Sequence, residues 1–316
     1  MEHFTLANGL QIPALGYGTG IANGISRHPL RLIKRAVKET VKRIVSPGFA
    51  RNNHYTLAKD FRKDRMLKKT ALAFAEHGGR MFDTSRAYQL SESYLCEAFR
   101  NWQGRFRRSD FFIITKVTNR AQRAKTVMED FETSLRNLGT DYVDLYLLHW
   151  PQEGAYLDSW KVLEEIYSSG KAKAIGVCNC HVHHLEAIRE IAQVMPMADE
   201  LECHPLLQQH EVRNYCREHN IQLIAHTPTG KMGSAGSPVL KDIAGKYGVK
   251  VSQVILRWHY QLGDVSIPNT TNPVHAAENL DIWGFALSDD DMLRISGLDS
   301  GQRIWPDPDN CDFSRL

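Results

Sequence analysis

Phe111-Phe112-Ile113-Ile114-Thr115, a helical period from Ala121 to Leu138, and Val143-Asp144-Leu145-Tyr146-Leu147-Leu148 form one strand–helix–strand unit, and that unit recurs along the chain. Further strand-like runs follow it at Ala172–Val177, Met197–Leu201, Ile221–Ala225 and Val265–Ile267, with a helical period at Leu157–Ser168 among the spans between them. Two more precede it, Ala14–Thr19 and Arg80–Asp83. Eight strands alternating with helices predict a parallel sheet, and eight is the number that closes a (β/α)8 TIM barrel. The 316 residues suit one such barrel with insertions, a single domain over 1–316. Ahead of it, Phe4-Thr5-Leu6 and Gln11-Ile12 flank Ala7-Asn8-Gly9, which predicts an N-terminal β-hairpin because Asn-Gly favours tight turns. An open doubly wound sheet is disfavoured: Gly16-Tyr17-Gly18-Thr19-Gly20 lacks the third glycine at dinucleotide-fingerprint spacing, and no helix starts there.

Residues 21–65 interrupt the rhythm. The first strand-to-helix loop is about 40 residues longer than such a loop needs. Within it Leu30, Ile33, Val37, Val41 and Ile44 fall at helical spacing, with Arg31, Lys34, Arg35, Lys38 and Lys42 on the other side. This predicts a basic amphipathic helix packed over the barrel mouth, where barrel chemistry sits. Residues 21–69 hold fourteen Lys/Arg against three acids, a net of +11 that leaves −8 for the rest of a +3 chain. Such asymmetry suits an anionic partner or a solvated helix face.

The composition, 42% hydrophobic and 24% charged, is that of an ordinary globular protein. No apolar run is long enough to span a membrane, and no basic-then-apolar leader opens the chain. Six cysteines without zinc or disulfide spacing predict a reduced, cytoplasmic protein. The aromatic residues form no stacking platform interleaved with basic residues, so nucleic acid is not an expected partner.

Polar residues at consecutive strand ends carry the chemistry. Asp83 closes the second barrel run with Tyr88 five residues on, Lys116 ends the third, and His149 ends the fourth. In a barrel all four point at one mouth. An Asp there commonly caps a helix and a His commonly packs, so the weight lies in their joint placement. Reducing a carbonyl needs a hydride donor and an acid for the developing alkoxide. A tyrosine near an ammonium suits the acid, because the cation lowers the phenol pKa. Asp83 would hold Lys116, and His149 would orient the carbonyl. No side chain supplies hydride, so a cofactor must.

Phe82-Asp83-Thr84-Ser85-Arg86-Ala87-Tyr88, Ile114-Thr115-Lys116-Val117 and Leu147-Leu148-His149-Trp150-Pro151 resemble the three catalytic segments of the aldo-keto reductase superfamily. Ile175-Gly176-Val177-Cys178-Asn179 resembles its cofactor strand, and Glu202-Cys203-His204-Pro205 and Ile267-Pro268 through Glu278-Asn279 resemble later segments. The resemblance runs from residue 4 to about 300, outside the insertion. It implies an intact Tyr88-Lys116-His149-Asp83 tetrad, an NADPH or NADH cofactor and a small-molecule carbonyl substrate. It further implies cofactor contacts at Gly18, Thr19, Asn179, Glu200, His226, Thr227, Asn269, Thr270, His275, Glu278 and Asn279. Trp150 and Trp305 become pocket-wall candidates, with core packing the alternative for Trp150.

The chain departs from that pattern where the cofactor is held. Cys178 stands where the family has Ser, and Asp199-Glu200 where it has Asn-Gln, so Glu200 would accept from the nicotinamide amide. His226 replaces a stacking Tyr. Asn269 and His275 replace the Lys and Arg that meet the 2′-phosphate of NADP. Either the basic insertion supplies the lost cations, or the cofactor is NADH and the insertion meets an anionic, sugar-like substrate. Cys178, Cys180, His181, His183 and His184 offer metal-ligand types, yet a strand end running into a helix start should make them diverge, so no metal is expected. The rival class is a non-catalytic barrel protein that binds a nicotinamide nucleotide or another small ligand.

Overall fold

The computed structural model describes residues 2–20, 36–38, 40–41, 57–88, 90–102 and 104–311. Hairpin strands β1 (His3–Thr5) and β2 (Gln11–Pro13) pair antiparallel. Eight parallel strands follow: β3 (Tyr17–Gly18), β4 (Met81–Asp83), β5 (Phe112–Val117), β6 (Leu145–Leu148), β7 (Ile175–Cys178), β8 (Ala198–Glu202), β9 (Gln222–His226) and β10 (Val265–Ile267). Parallel bridges Leu15–Ser266 and Gly18–Asn269 join β10 to β3 and close the barrel.

Side chains alternate along each strand, as a two-residue period requires. Met81, Ile114, Leu145, Leu147, Ala198, Ile224, Val265 and Ile267 point inward and pack together as the barrel interior. Leu6 and Ile12 of the hairpin join that cluster and plug the floor. The opposite faces of the strands meet the helices. Helix α1 (Leu57–Glu76) lays Leu67, Ala71, Phe74 and Ala75, all buried, along one side. Continuing the inward series upward from Met81, Ile114 and Leu147 reaches Asp83, Lys116 and His149, so the barrel's own pleat delivers these polar residues to the mouth.

One helical span differs from its expectation. The period from Ala121 to Leu138 is two helices, α2 (Asn119–Ala124) and α3 (Val127–Leu138), separated by Lys125 in the left-handed region at φ 54°. Thr118 caps α2 through its side chain, and Gly139 ends α3 at φ 64°. Of the insertion, 36–38, 40 and 41 are helical as expected, while 57–65 already belong to α1, so the first barrel helix starts earlier than the expected boundary at 65. Val37 and Val41 are 57% and 53% exposed, so the expected apolar packing over the mouth is absent at these two positions. Residues 21–35, 39 and 42–56 lie outside the described residues. Among the described residues, no helix is long and apolar enough to cross a membrane.

Candidate active site

A cavity of about 450 Å³ opens at the C-terminal end of the strands. Asp83, Tyr88, His149, Trp150, Asn179, Glu200, His226, Asn269 and Trp305 are among its lining residues. Lys116 lies beneath it with no exposed surface, ion-paired to Asp83, donating to the Thr84 carbonyl at 3.2 Å and standing 3.1 Å from Glu200 Oε2. Its ammonium is 5.5 Å from the centroid of the Tyr88 ring. The Tyr88 ring meets the His149 ring edge-on at 5.5 Å. The four tetrad candidates are therefore brought together.

The electrostatics qualify one expectation. Burial acts to lower the Lys116 pKa, but the Asp83 and Glu200 carboxylates outweigh it and hold Lys116 well above the usual lysine range. Tyr88 is not made more acidic than a free phenol. Burial, reinforced by Asp83 and Glu200, pushes its pKa up and outweighs the lowering by Lys116. Tyr88 is thus fully protonated at neutral pH, with Lys116 easing the loss of its proton. Burial first, and then Lys116, holds the His149 imidazole well below its ordinary pKa, so that ring is neutral. Its Nδ1 is 3.3 Å from Ser85 Oγ. A hydroxyl donating there leaves the ring proton on Nε2, the nitrogen Ser85 does not engage.

The expected cofactor residues divide into two groups. Asn179 sits in the left-handed region at φ 60°, where its amide reaches the His149 carbonyl at 3.1 Å and the His226 ring nitrogen Nε2 at 3.1 Å. Burial drives the His226 pKa down to about 3, leaving a neutral flat ring on the cavity wall. Glu200 lines the same cavity, and its carboxylate also faces Lys116 and Asp83. Gly18 lines the cavity, and a Cβ there would come within 3.1 Å of the Ile267 carbonyl. Thr19 is buried, bonded to the Asp83 carbonyl. The second group surrounds the end of β10. Thr270 Oγ1 accepts from the Asn272 amide at 3.1 Å, His275 and Glu278 lie on the short helix Pro273–Glu278, and Asn279 caps it. The Glu278 carboxylate is engaged by Lys250.

The C-terminal segment completes the wall. Glu202 accepts the backbone N–H of Ile304 at 2.7 Å and of Trp305 at 2.9 Å. The Trp305 indole donates to Thr227 Oγ1 at 2.9 Å, and Lys231 lies 4.0 Å over its ring. Trp150 is 7% exposed and serves as both wall and core. Sequence reasoning missed Thr118, Asn119 and Arg120, which also line the cavity, and gave no place in its wall to Cys178, which lines it too. Cys178 could have been found, since it lies an even number of residues beyond inward-facing Ala174. The imidazoles of the 178–184 segment do not diverge as expected. His181 Nδ1 is 2.8 Å from Asp309 Oδ2, and His183 and His184 Nε2 lie 3.5 and 3.8 Å from Oδ1. The His181 amide donates to His184 Nδ1 at 3.1 Å, which leaves the His184 ring proton on Nε2, facing Asp309. Cys178 and Cys180 are buried apart from that cluster, one in the barrel interior and the other under the helices.

Comparison with known proteins agrees with this geometry. Residues 52–300 match the model of the aldo/keto reductase family. The oxidoreductase YtbE of Bacillus subtilis (strain 168) is 42% identical over 247 residues, covering 78% of this chain and 87% of its own. The glyoxal reductase of the same organism is 40% identical over 241 residues, covering 76% and 86%. Among solved structures, the silkworm (Bombyx mori) aldo-keto reductase AKR2E5 crystallised with NADPH superposes with a TM-score of 0.78 at 29% identity, covering 96% of this chain and 89% of that one. The barrel, its polar mouth and these likenesses agree: the chain belongs to the aldo/keto reductase family, and it is a nicotinamide-dependent oxidoreductase of aldehydes and ketones.

Proposed function

We propose that this protein reduces small aldehydes of the 2-oxoaldehyde class, with Tyr88 as the proton donor to the carbonyl oxygen. The observation that carries the reading is the buried ammonium of Lys116, 5.5 Å from the Tyr88 ring and held by Asp83. The bound nicotinamide supplies hydride to the carbonyl carbon. Tyr88 gives its proton to the oxygen as the C–O group gains charge. Its raised pKa does not prevent this, because an alkoxide is about as basic as hydroxide and takes a proton from a phenol readily. Lys116 stabilises the phenolate left behind, Asp83 fixes Lys116, and the neutral His149 donates from Nε2 to orient the substrate oxygen. The size of the cavity and the glyoxal reductase among the relatives support a small dicarbonyl substrate.

Asn179, His226 and the bare backbone of Gly18 fit a nicotinamide, offering an amide, a flat neutral ring and room for close approach. Asn269, Thr270 and His275 offer the adenosine 2′-phosphate no fixed cation, which supports weak discrimination between NADPH and NADH. The test combines purified protein, methylglyoxal and either dihydronicotinamide carrying deuterium at the transferred position. Label on the alcohol carbon, with dissociation constants for the two cofactors within about tenfold (about 1.4 kcal/mol), supports the reading. No transfer from either cofactor overturns it.

A further inference from the structure

Lys116 has two carboxylate neighbours. Asp83 comes from the end of β4 and Glu200 from β8, on the opposite wall. Glu200 is 1% exposed, and its Oε2 is 3.1 Å from Lys116 Nζ without a well-aligned hydrogen bond. The groups that face it are Asp83 from β4, Lys116 from β5, Cys178 from β7 and Tyr88 from the loop after β4. His149 and His226, both neutral, share the cavity wall. Among the described residues, one cation, Lys116, thus faces two carboxyl groups above the apolar barrel interior. Two ionised carboxylates would leave a net charge of −1 there, and burying unbalanced charge is costly. The arrangement favours one proton retained on the carboxyl pair.

Resting on the reading of Tyr88 as the acid, we propose that Glu200 is a positioning residue that sets the charge Lys116 presents to Tyr88. With Glu200 protonated, Asp83 alone balances Lys116, and the ammonium stabilises the Tyr88 phenolate as it forms. With Glu200 ionised, the second negative charge opposes that phenolate, and proton donation slows. Glu200 touches neither the transferred proton nor the hydride. It acts by taking up or releasing one proton to solvent, and no bond of the substrate is altered. Burial, with Asp83 adding to it and Lys116 opposing, brings the Glu200 pKa up to about 8. The active form lies below that pH, so reduction declines as pH rises through it.

The test is the pH profile of kcat for methylglyoxal reduction at saturating cofactor, in wild type, Glu200→Gln and Tyr88→Phe. Wild type is expected to fall about tenfold between pH 7 and pH 9.5, with a midpoint near 8, as an added charge a few ångströms from the phenolate requires. Glu200→Gln, which keeps the shape and removes the titration, is expected to fall less than twofold, relative to its own value at pH 7, over the same range. Infrared spectra of the wild type give a second readout that needs no variant: one buried carboxylic-acid C=O band should disappear with the same midpoint. Identical profiles in wild type and Glu200→Gln, or no carboxyl band titrating near pH 8, overturn the proposal. Full turnover in Tyr88→Phe overturns the underlying reading instead, so the two failures are distinguishable.

Discussion

Replacing Lys116 with Met removes the buried cation while keeping most of its length. The ammonium lies 5.5 Å from the Tyr88 ring centroid. Two unit charges at that separation interact by about 3 kcal/mol at an effective dielectric of about 20. Losing that attraction makes proton release from Tyr88 harder by about two pKa units. Asp83 and Glu200 would also be stranded without their counter-ion, which costs about 3–5 kcal/mol if they stay ionised. Their folded-state pKa values are already raised by burial against the lowering by Lys116, and Glu200 is raised further by Asp83. Without Lys116 they rise further. The folded variant then binds more protons than the unfolded chain, so its stability falls as pH rises. The variant should therefore be assayed near pH 6, with its fold checked by near-ultraviolet circular dichroism. We expect kcat/KM for methylglyoxal to drop by about 10²–10⁴, the usual range for disabling general acid catalysis. A folded Lys116→Met protein within about threefold of wild type would refute the reasoning, because it would show that no charge at that position assists proton transfer.

Three further outcomes follow from other parts of the molecule. Trp305→Ala removes the indole donor to Thr227 and the ring under Lys231; KM should rise about tenfold with a smaller change in kcat, since the loss is about 1–2 kcal/mol of wall contacts, and an unchanged KM would remove Trp305 from the pocket. Gly176→Ala places a Cβ 2.4 Å from the Ala198 carbonyl oxygen; because that neighbour is backbone, urea unfolding should show a loss of about 1–3 kcal/mol, and a neutral result would mean that β7 and β8 can separate without penalty. The His149 imidazole stays neutral as pH falls through 6.5 because its folded pKa is depressed by burial and then by Lys116. The kcat profile should accordingly be flat between pH 6 and 7, and an inflection there that vanishes in His149→Asn would contradict this.

Most barrel strands were legible as short apolar runs bounded by loops, and β8, which carries Asp199, Glu200 and Glu202, by its place in the alternation of strands and helices. The convergence of Asp83, Tyr88, Lys116 and His149 was legible because strand ends of a barrel, and the loops that follow them, share one face. The break at Lys125 was not, since nothing in Ala121–Leu138 marks a left-handed residue in the way a glycine would. The direction of the Tyr88 shift was also hidden. It depends on burial and on Glu200, and Glu200 lies 112 positions along the chain in a strand whose register with Lys116 only the closed barrel defines. An inward period of two from Ala198 would have placed Glu200 in the mouth, but not against the ammonium. Convergence of three histidines on Asp309 was invisible because the partner comes from the C-terminal segment, which shows no regular pattern.

Steady-state reduction of methylglyoxal by Tyr88→Phe, with cofactor binding followed separately by fluorescence quenching, probes the proposed chemistry at its reacting atom. Removing the single phenolic oxygen leaves the ring that packs against His149 in place. The expected result is a loss of kcat of about 10²–10⁴ with the cofactor still bound. Turnover equal to wild type would mean that another group protonates the carbonyl oxygen, and the assignment of Tyr88, Lys116, Asp83 and His149 would fall together.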